Sequence, residues 1–403
     1  MPAEFTVAHV GAWGRNYGDR AIQHATMALL QGRAARRGMR IKYLPIDLQA
    51  GPFDPWVAAL NDTADLVLVG GGGLIWDRPG NESRSGWQWN LSLETLGQLR
   101  VPFAVHAIGN TRFPYNDQTG DSGTFKRHMQ HVWDTASSFS VRNGYTATWL
   151  SQRIATGSFR IPVVPCPAHF LTVDPTKLPH MAGGRPTIGL VWAYDHPHMR
   201  YASVPEAEVL LQAVVDQVAV ACKATGADVL LLEHIAGVDH AVRDLLRTAF
   251  KQHGLALHSL EEARADLYPA RTHLAPTFFG VHALCDVVVS MRKHGLIVPA
   301  GAGVPVVALG ALGELWGTLA EPFFPDESLH YAHASQVLGN QGGMAPLAAT
   351  LVDIIETENH IARTHRYHTA MGHGRGLLNA EYDNLLELIT YHQRRPHAHA
   401  RHR

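Results

Sequence analysis

Apolar residues along this chain fall into two alternating textures. Short, nearly continuous runs such as 187–192 and 286–290 have the length and β-branched content of strands buried on both faces. Between them lie longer stretches in which apolar side chains return at about the helical period. In 19–36, for instance, Ala21, Ile22, Ala25, Met27, Ala28 and Leu29 supply one apolar face. The pattern predicts strands at 5–10, 41–45, 64–69, 103–108 and 137–141, with helices at 19–36, 56–60, 91–99, 124–135 and 144–152. Residues 175–185 hold Pro, Gly and Lys and read as a linker. The alternation then restarts, with strands at 187–192, 228–232, 255–257, 286–290 and 305–308 and helices at 206–225, 240–253 and 278–283. Helices at 344–357 and 377–392 close it. Such alternation predicts parallel sheets covered on both faces. The expected architecture is therefore α/β, two Rossmann-like lobes at 1–175 and 186–390 with a cleft between them. The C-terminal helix is long enough to cross back onto the first lobe, and a basic, histidine-rich tail at 391–403 is expected to be disordered.

Composition narrows the setting. The chain has 403 residues, 46% of them hydrophobic and 17% charged, which is enough to bury sizeable cores in two domains. The formal net charge is -1, so nothing global points to a nucleic acid or an anionic membrane surface. Three cysteines, Cys166, Cys222 and Cys285, form no disulfide framework or zinc spacing, in keeping with a reducing cytoplasm. The first residues lead straight into a strand and lack the pattern of a signal peptide. The uncharged segment 295–313 has the length of a membrane span, but its prolines and glycines favour a helix, a loop and a strand. A cytoplasmic location, extending to the inner face of the membrane, is expected.

Four loops carry polar chemistry at predicted strand ends. The most informative is Ser290-Met291-Arg292-Lys293-His294-Gly295, where an apolar strand runs into two cations and a histidine. Open α/β sheets hold their ligands at the carboxyl ends of strands. Cations beside a proton carrier suit an anionic substrate that must also gain or lose a proton. Arg142, after the strand 137–141, is the second anion-binding candidate, with a surface ion pair as its other reading. The loop Gly11-Ala12-Trp13-Gly14-Arg15-Asn16-Tyr17-Gly18-Asp19 has neither dinucleotide nor P-loop spacing, and Asp19 suits either helix capping or the cleft. Gly70-Gly71-Gly72-Gly73 directly follows a buried strand, which implies close approach of a ligand or of another backbone. Beyond it, Trp76, Asn81, Glu82, Arg84, Trp87, Gln88 and Trp89 read either as a sugar-binding wall or as a loop packing its own tryptophans.

These pieces, in this order, resemble the polysaccharide pyruvyl transferase family. The resemblance rests on Asn16-Tyr17-Gly18-Asp19, the strand into Gly70-Gly71-Gly72-Gly73, Ser140-Val141-Arg142, and Ser290-Met291-Arg292-Lys293-His294-Gly295 with Gly303-Val304-Pro305-Val306-Val307-Ala308 behind it. It implies a GT-B-like pair of lobes and transfer of the pyruvyl group of phosphoenolpyruvate to sugar hydroxyls as a ketal. It places Arg142 and Arg292 on the donor's phosphate and carboxylate, with Lys293 as a third contact. His294 becomes the acid that protonates the methylene carbon, and Asp19 the group that orients or deprotonates the acceptor hydroxyl. Asn16, Gly71, Gly72 and Gly73 join the substrate-binding set, and neither metal nor cofactor is called for. Two positions depart from the family: Lys293, where an apolar residue is commoner, and Cys166, where many members carry Asp. A sugar-nucleotide glycosyltransferase on the same frame, or a non-catalytic carbohydrate-binding protein, are the other readings.

Overall fold

The computed structural model describes residues 3–394 except 77–82, 112, 114–119, 121, 177, 179–180, 182–183, 202, 236, 269–270, 310–329, 333–346 and 358. The strand-helix alternation builds two parallel sheets. The first contains β1 (Ala3–Gly11), β2 (Met39–Asp47), β3 (Leu66–Ile75), β4 (Phe103–Asn110) and β5 (Ser138–Val141), in the order β2-β1-β3-β4-β5. The second contains β6 (Thr187–Val191), β7 (Asp228–Leu231), β8 (Leu257–Ser259), β9 (Val287–Ser290), β10 (Val306–Leu309) and β11 (His330–Ala332), in the order β11-β10-β9-β6-β7-β8. The order reverses between β1 and β3 in one sheet and between β6 and β9 in the other. Loops leaving neighbouring strands diverge there, so each sheet opens a crevice at its carboxyl edge.

Helices cover both faces. The first lobe carries α1 (Tyr17–Arg36), α2 (Trp56–Thr63), α3 (Leu93–Leu96), α4 (Gly123–Thr135) and α5 (Gly144–Ser151). The second carries α6 (Pro197–Arg200), α7 (Val204–Thr225), α8 (His240–Gln252), α9 (Leu260–Ala263), α10 (Ala275–His282) and α11 (His294–Gly301), followed by the helix Leu347–Glu356. The helix expected at 91–99 shrinks to one turn: Ser92 caps it by accepting from Thr95 N, and Gly97 ends it. The segment 295–313 resolves, as far as it is described, into α11, a turn through Gly303 at φ 90° and β10. No helix among the described residues is long and apolar enough to cross a membrane.

The glycine tetrad differs from expectation. Instead of ending at Val69, β3 runs on through Gly70–Gly73 to Ile75, with a register irregularity against β4 after Gly72. Gly70, Gly71 and Gly72 take φ of 154°, 69° and 102°, which side-chain-bearing residues rarely adopt. A Cβ on Gly70 would sit 2.1 Å from His106 O, and one on Gly71 would sit 2.1 Å from Ile22 Cγ2 of α1. These two glycines bring β4 and α1 against the strand.

The lobes are tied by two helices. Tyr17, Ala21, Ile22 and Ala25 of α1 pack into a core shared with Phe278, Leu296 and Ile297 of the second lobe. The C-terminal helix Asn359–Arg394 makes the reverse crossing. Its Met371 joins that same core, whereas Leu378, Tyr382, Leu385, Leu386 and Ile389 pack on Phe5, Val7, Leu30 and Leu68 of the first. Each such aliphatic side chain contributes roughly 1.5–3 kcal/mol when fully buried, enough to hold the strap. A lobe boundary at 390 therefore cuts through a helix that belongs to both. Residues 391–394, expected in a disordered tail, form its last turn; the rest of that tail, 395–403, and the residues Asn81 and Glu82 lie outside the described residues.

Candidate active site between the lobes

The two crevices face each other across a cavity of about 850 Å³. Its walls include Asn16, Asp19, Gly73, Arg142, Arg292, Lys293 and His294, drawn from four strand ends in two lobes. Gly71 and Gly72, expected to bind substrate, are not among its lining residues: Gly71 is packed against Ile22, and a Cβ on Gly72 would lie 3.4 Å from the same side chain.

Asn16 is the cap of α1, its Oδ1 accepting from Gly18 N at 2.9 Å. That leaves Asp19 in the first turn, facing the cavity, where the positive end of the helix favours its charge. The loop also crosses between lobes: Tyr17 N donates to His234 O at 3.0 Å, and Tyr17 stacks on Phe278 at 3.8 Å between ring centroids.

Arg142 follows β5, its amide donating to Ile108 O at 2.9 Å, and Asn143 behind it caps α5. Its side chain is 4% exposed and lies across glycines: a Cβ on Gly109 would stand 1.9 Å from Nε, and one on Gly73 would stand 3.3 Å from Nη2. Gly73 and Gly109 thus make the groove that carries the guanidinium.

The run after β9 folds tightly. Ser290 Oγ accepts from Arg292 N at 3.0 Å and donates to Arg292 O at 2.8 Å, which turns the chain into α11. Arg292 Nη2 contacts Asp239 Oδ1 at 2.7 Å and Asp195 Oδ1 at 2.9 Å. Burial would lower this guanidinium's pKa, but the two carboxylates outweigh it and raise the value above that of an ordinary arginine. Asp195 is held below the usual carboxylate range, burial being overcome by Arg292 and Arg200. Arg292 therefore enters the site already compensated by two acids, a pairing that the sequence pattern did not show. Sequence reasoning passed over both acids. Asp195 follows β6 at the same kind of strand end as Arg292, and that placement was the available signal. Asp239 had none, since it acts by folding back on the loop after β7, accepting from His234 N and Ile235 N.

His294 opens α11. A Cβ on Gly18 would fall 2.2 Å from its Nδ1, and its Nε2 is 3.9 Å from Cys166 Sγ. Burial, followed by Arg142, Lys293 and His169, drives its pKa well below the ordinary histidine value. The helix N-terminus acts in the same direction. The imidazole is neutral around pH 7.

The tryptophans divide. Trp87 and Trp89 are 2% and 0% exposed and belong to the first lobe's core, with Trp87 Nε1 donating to His128 Nδ1 at 3.0 Å. They form no sugar-binding wall. Trp76 reaches the cavity, edge-on to Phe113 and to His196 of the other lobe, at centroid distances of 5.6 and 5.2 Å. Cys166, Cys222 and Cys285 are buried, and none of them is in a disulfide. Among the described residues no group of histidines, cysteines and acids is arranged to hold a metal ion.

Comparisons place this geometry among known proteins. The chain resembles a putative UDP-N-acetylglucosamine 2-epimerase from Listeria monocytogenes, with 12% identity, 91% of each chain covered and a TM-score of 0.54. The UDP-GlcNAc 2-epimerase of Neisseria meningitidis aligns over 95% of this chain and 100% of its own, with 10% identity and a TM-score of 0.56. A glycosyltransferase from Rickettsia africae gives 11% identity, 97% and 98% coverage and a TM-score of 0.53. Identities this low speak for the shared GT-B-like fold alone. No curated protein is a significant match. The model of the family described as polysaccharide pyruvyl transferase, however, matches residues 16–311, the span that holds every group placed around the cavity above. The chain belongs to the polysaccharide pyruvyl transferase family.

Proposed function

We propose that the protein transfers the pyruvyl group of phosphoenolpyruvate to two hydroxyls of a sugar in a polysaccharide or glycoconjugate, forming a cyclic ketal and releasing phosphate. The observation that carries this reading is the meeting, in one cavity, of Arg142 from the first lobe with Lys293 and His294 from the second. Phosphoenolpyruvate is a small polyanion whose methylene carbon must be protonated before C2 can be attacked. Arg142 and Lys293 receive its phosphate and carboxylate, and Arg292, offset by Asp195 and Asp239, orients rather than neutralises. With the anion bound, His294 takes up a proton and delivers it to C3. C2 becomes an oxocarbenium centre, a sugar hydroxyl adds, and Asp19 accepts that hydroxyl's proton. The C2–O bond to phosphate then breaks and a second hydroxyl closes the ring. One hydroxyl proton replaces that lost from His294, and the other leaves with phosphate. The cavity of about 850 Å³ has room for both donor and acceptor.

The test follows phosphate release from phosphoenolpyruvate across a panel of sugar glycosides, beside a thermal-shift comparison of phosphoenolpyruvate with UDP-GlcNAc. Stabilisation by phosphoenolpyruvate alone is expected, with phosphate release falling about 10²–10⁴-fold in His294→Gln. Stabilisation by UDP-GlcNAc alone, without phosphate release, identifies a nucleotide-sugar enzyme instead.

A further inference from the structure

Two residues before Arg142, among residues that do not line the cavity, lies a buried polar cluster that the chemistry above does not use. Glu381, 7% exposed on the C-terminal helix, reaches between β4 and β5. Ser140 Oγ donates to its Oε1 at 2.5 Å, and His106 Nδ1 lies 2.9 Å from its Oε2. The other ring nitrogen of His106 is 3.1 Å from the Tyr382 hydroxyl. Ser140 gives its proton to the acid and not to the imidazole, and the group is sealed from solvent, so it is no nucleophile.

Its position is what matters. The pairing of β4 with β5 slips between Val105 and Ile108: Val105 faces Phe139 and Ile108 faces Val141, leaving His106 and Ala107 opposite Ser140 alone. This is a β-bulge, and Ala107 within it has φ 47°, a left-handed conformation that costs a residue with a Cβ. The bulge leaves Ala107 N without a ladder partner, and Ser140 Oγ accepts from it at 3.0 Å. One residue further along, Ile108 O accepts from Arg142 N, and Gly109 passes under the arginine side chain. Bulges beside active sites re-aim side chains. This one lies at the ends of β4 and β5, its Ala107 N is satisfied by Ser140, and one carboxylate holds both Ser140 and the side chain of the bulge residue His106.

We propose that Glu381 is a positioning residue for Arg142: acting through Ser140 and His106, it holds the β4 bulge in the register that lays the guanidinium over Gly109 and into the cavity. The C-terminal helix, beyond the 16–311 span that marks the family, thereby sets the geometry of the anion site. This rests on Arg142 being an anion anchor.

Calorimetry with phosphoenolpyruvate tests it, using the full-length protein. Ser140→Ala and Glu381→Ala are expected to raise Kd about ten- to a hundredfold at unchanged stoichiometry, because small misplacements of a positioning group are costly. Glu381→Gln keeps an acceptor for Ser140 and should recover much of the loss. In an Arg142→Ala background, Ser140→Ala should change Kd by less than about twofold, since the coupled partner is gone. A cluster that only stabilises the fold lowers the melting temperature and the binding stoichiometry while leaving Kd unchanged, and that result overturns the proposal. Where the alanine variants fail to fold, Glu381→Asp, which withdraws the carboxylate from Ser140 by one methylene, carries the same comparison. A crystal structure of Ser140→Ala, or of Glu381→Asp, separates this question from the donor's identity. Arg142 displaced from Gly109 supports the clamp even if wild-type protein ignores phosphoenolpyruvate; Arg142 unmoved refutes it.

Discussion

His294 is the residue on which the chemistry turns, and its surroundings fix how it can act. Buried against Arg142, Lys293 and His169, it is neutral in the empty site around pH 7. A bound polyanion offsets those cations and raises its pKa, so binding of phosphoenolpyruvate should take up close to one proton near pH 7. The affinity should weaken as pH rises. Calorimetry in buffers of different ionisation enthalpy measures the uptake directly, and no net proton transfer would remove His294 from the role of acid. A second residue makes a prediction about stability. Glu233, buried behind the cavity, has its pKa pushed up to about 7, burial outweighing the hydrogen bonds from Ser259 and from Glu261 N. Its folded value exceeds its unfolded one. The stability it confers is thus present below about pH 4.5 and lost as pH rises through about 7. The loss is on the order of 3 kcal/mol. In Glu233→Gln the melting temperature should vary less with pH across that window; an unchanged profile would show that Glu233 is ionised throughout.

At the scale of elements, the site is built by glycines that let strands and helices close on charged side chains. A Cβ on Gly109 of β4 would stand 1.9 Å from Arg142 Nε, and one on Gly18 of α1 would stand 2.2 Å from His294 Nδ1. Gly109→Ala should therefore push Arg142 out of its groove. Binding of phosphoenolpyruvate should weaken by about tenfold or more, as expected when a buried charged contact loses its geometry. Circular dichroism should still report a folded protein, because the collision is with a side-chain end and not with backbone. Binding at wild-type strength in Gly109→Ala would mean that Arg142 does not hold the anion. Gly70 is different in kind, since its collision is with His106 O, and its replacement belongs to the fold and not to the site.

The whole molecule is unusually rich in histidine, with 26, and several are buried and neutral. Burial lowers His9 and His128 to about 4 and His169 and His282 to about 3. In each case the folded pKa lies below the unfolded one, so the unfolded chain binds protons first as pH falls below about 6.5. Every such residue removes up to about 3 kcal/mol by pH 4, and together the four reach the scale of the roughly 5–15 kcal/mol that holds a typical fold. Cooperative unfolding should accordingly begin between pH 6 and about 4, followed by far-ultraviolet circular dichroism. A protein still native at pH 3 would show that these imidazoles find charge-stabilising partners on protonation.

Much of this was legible in the residues themselves. Continuous apolar runs and helical periods determine the α/β alternation, the two parallel sheets and the strand ends at which Arg142, Arg292 and His294 stand, because local burial dictates period. Tertiary structure alone decided the rest. Asp195 and Asp239 neutralise Arg292 from loops 97 and 53 residues away, distances over which no periodicity operates. Of the tryptophans that read either as a binding wall or as a loop's own packing, Trp87 and Trp89 are core and Trp76 lines the cavity, since whether an aromatic is covered depends on what packs over it and not on its neighbours in sequence. The four glycines, which read equally as a ligand cradle, serve mainly to bring β4 and α1 close, with Gly73 alone facing the cavity. The C-terminal helix, whose crossing back onto the first lobe the sequence allowed but did not require, makes that crossing and sets Glu381 against Ser140. Chain order carries local conformation well, but a charge's partner and a cavity's far wall are set by folding of the whole chain.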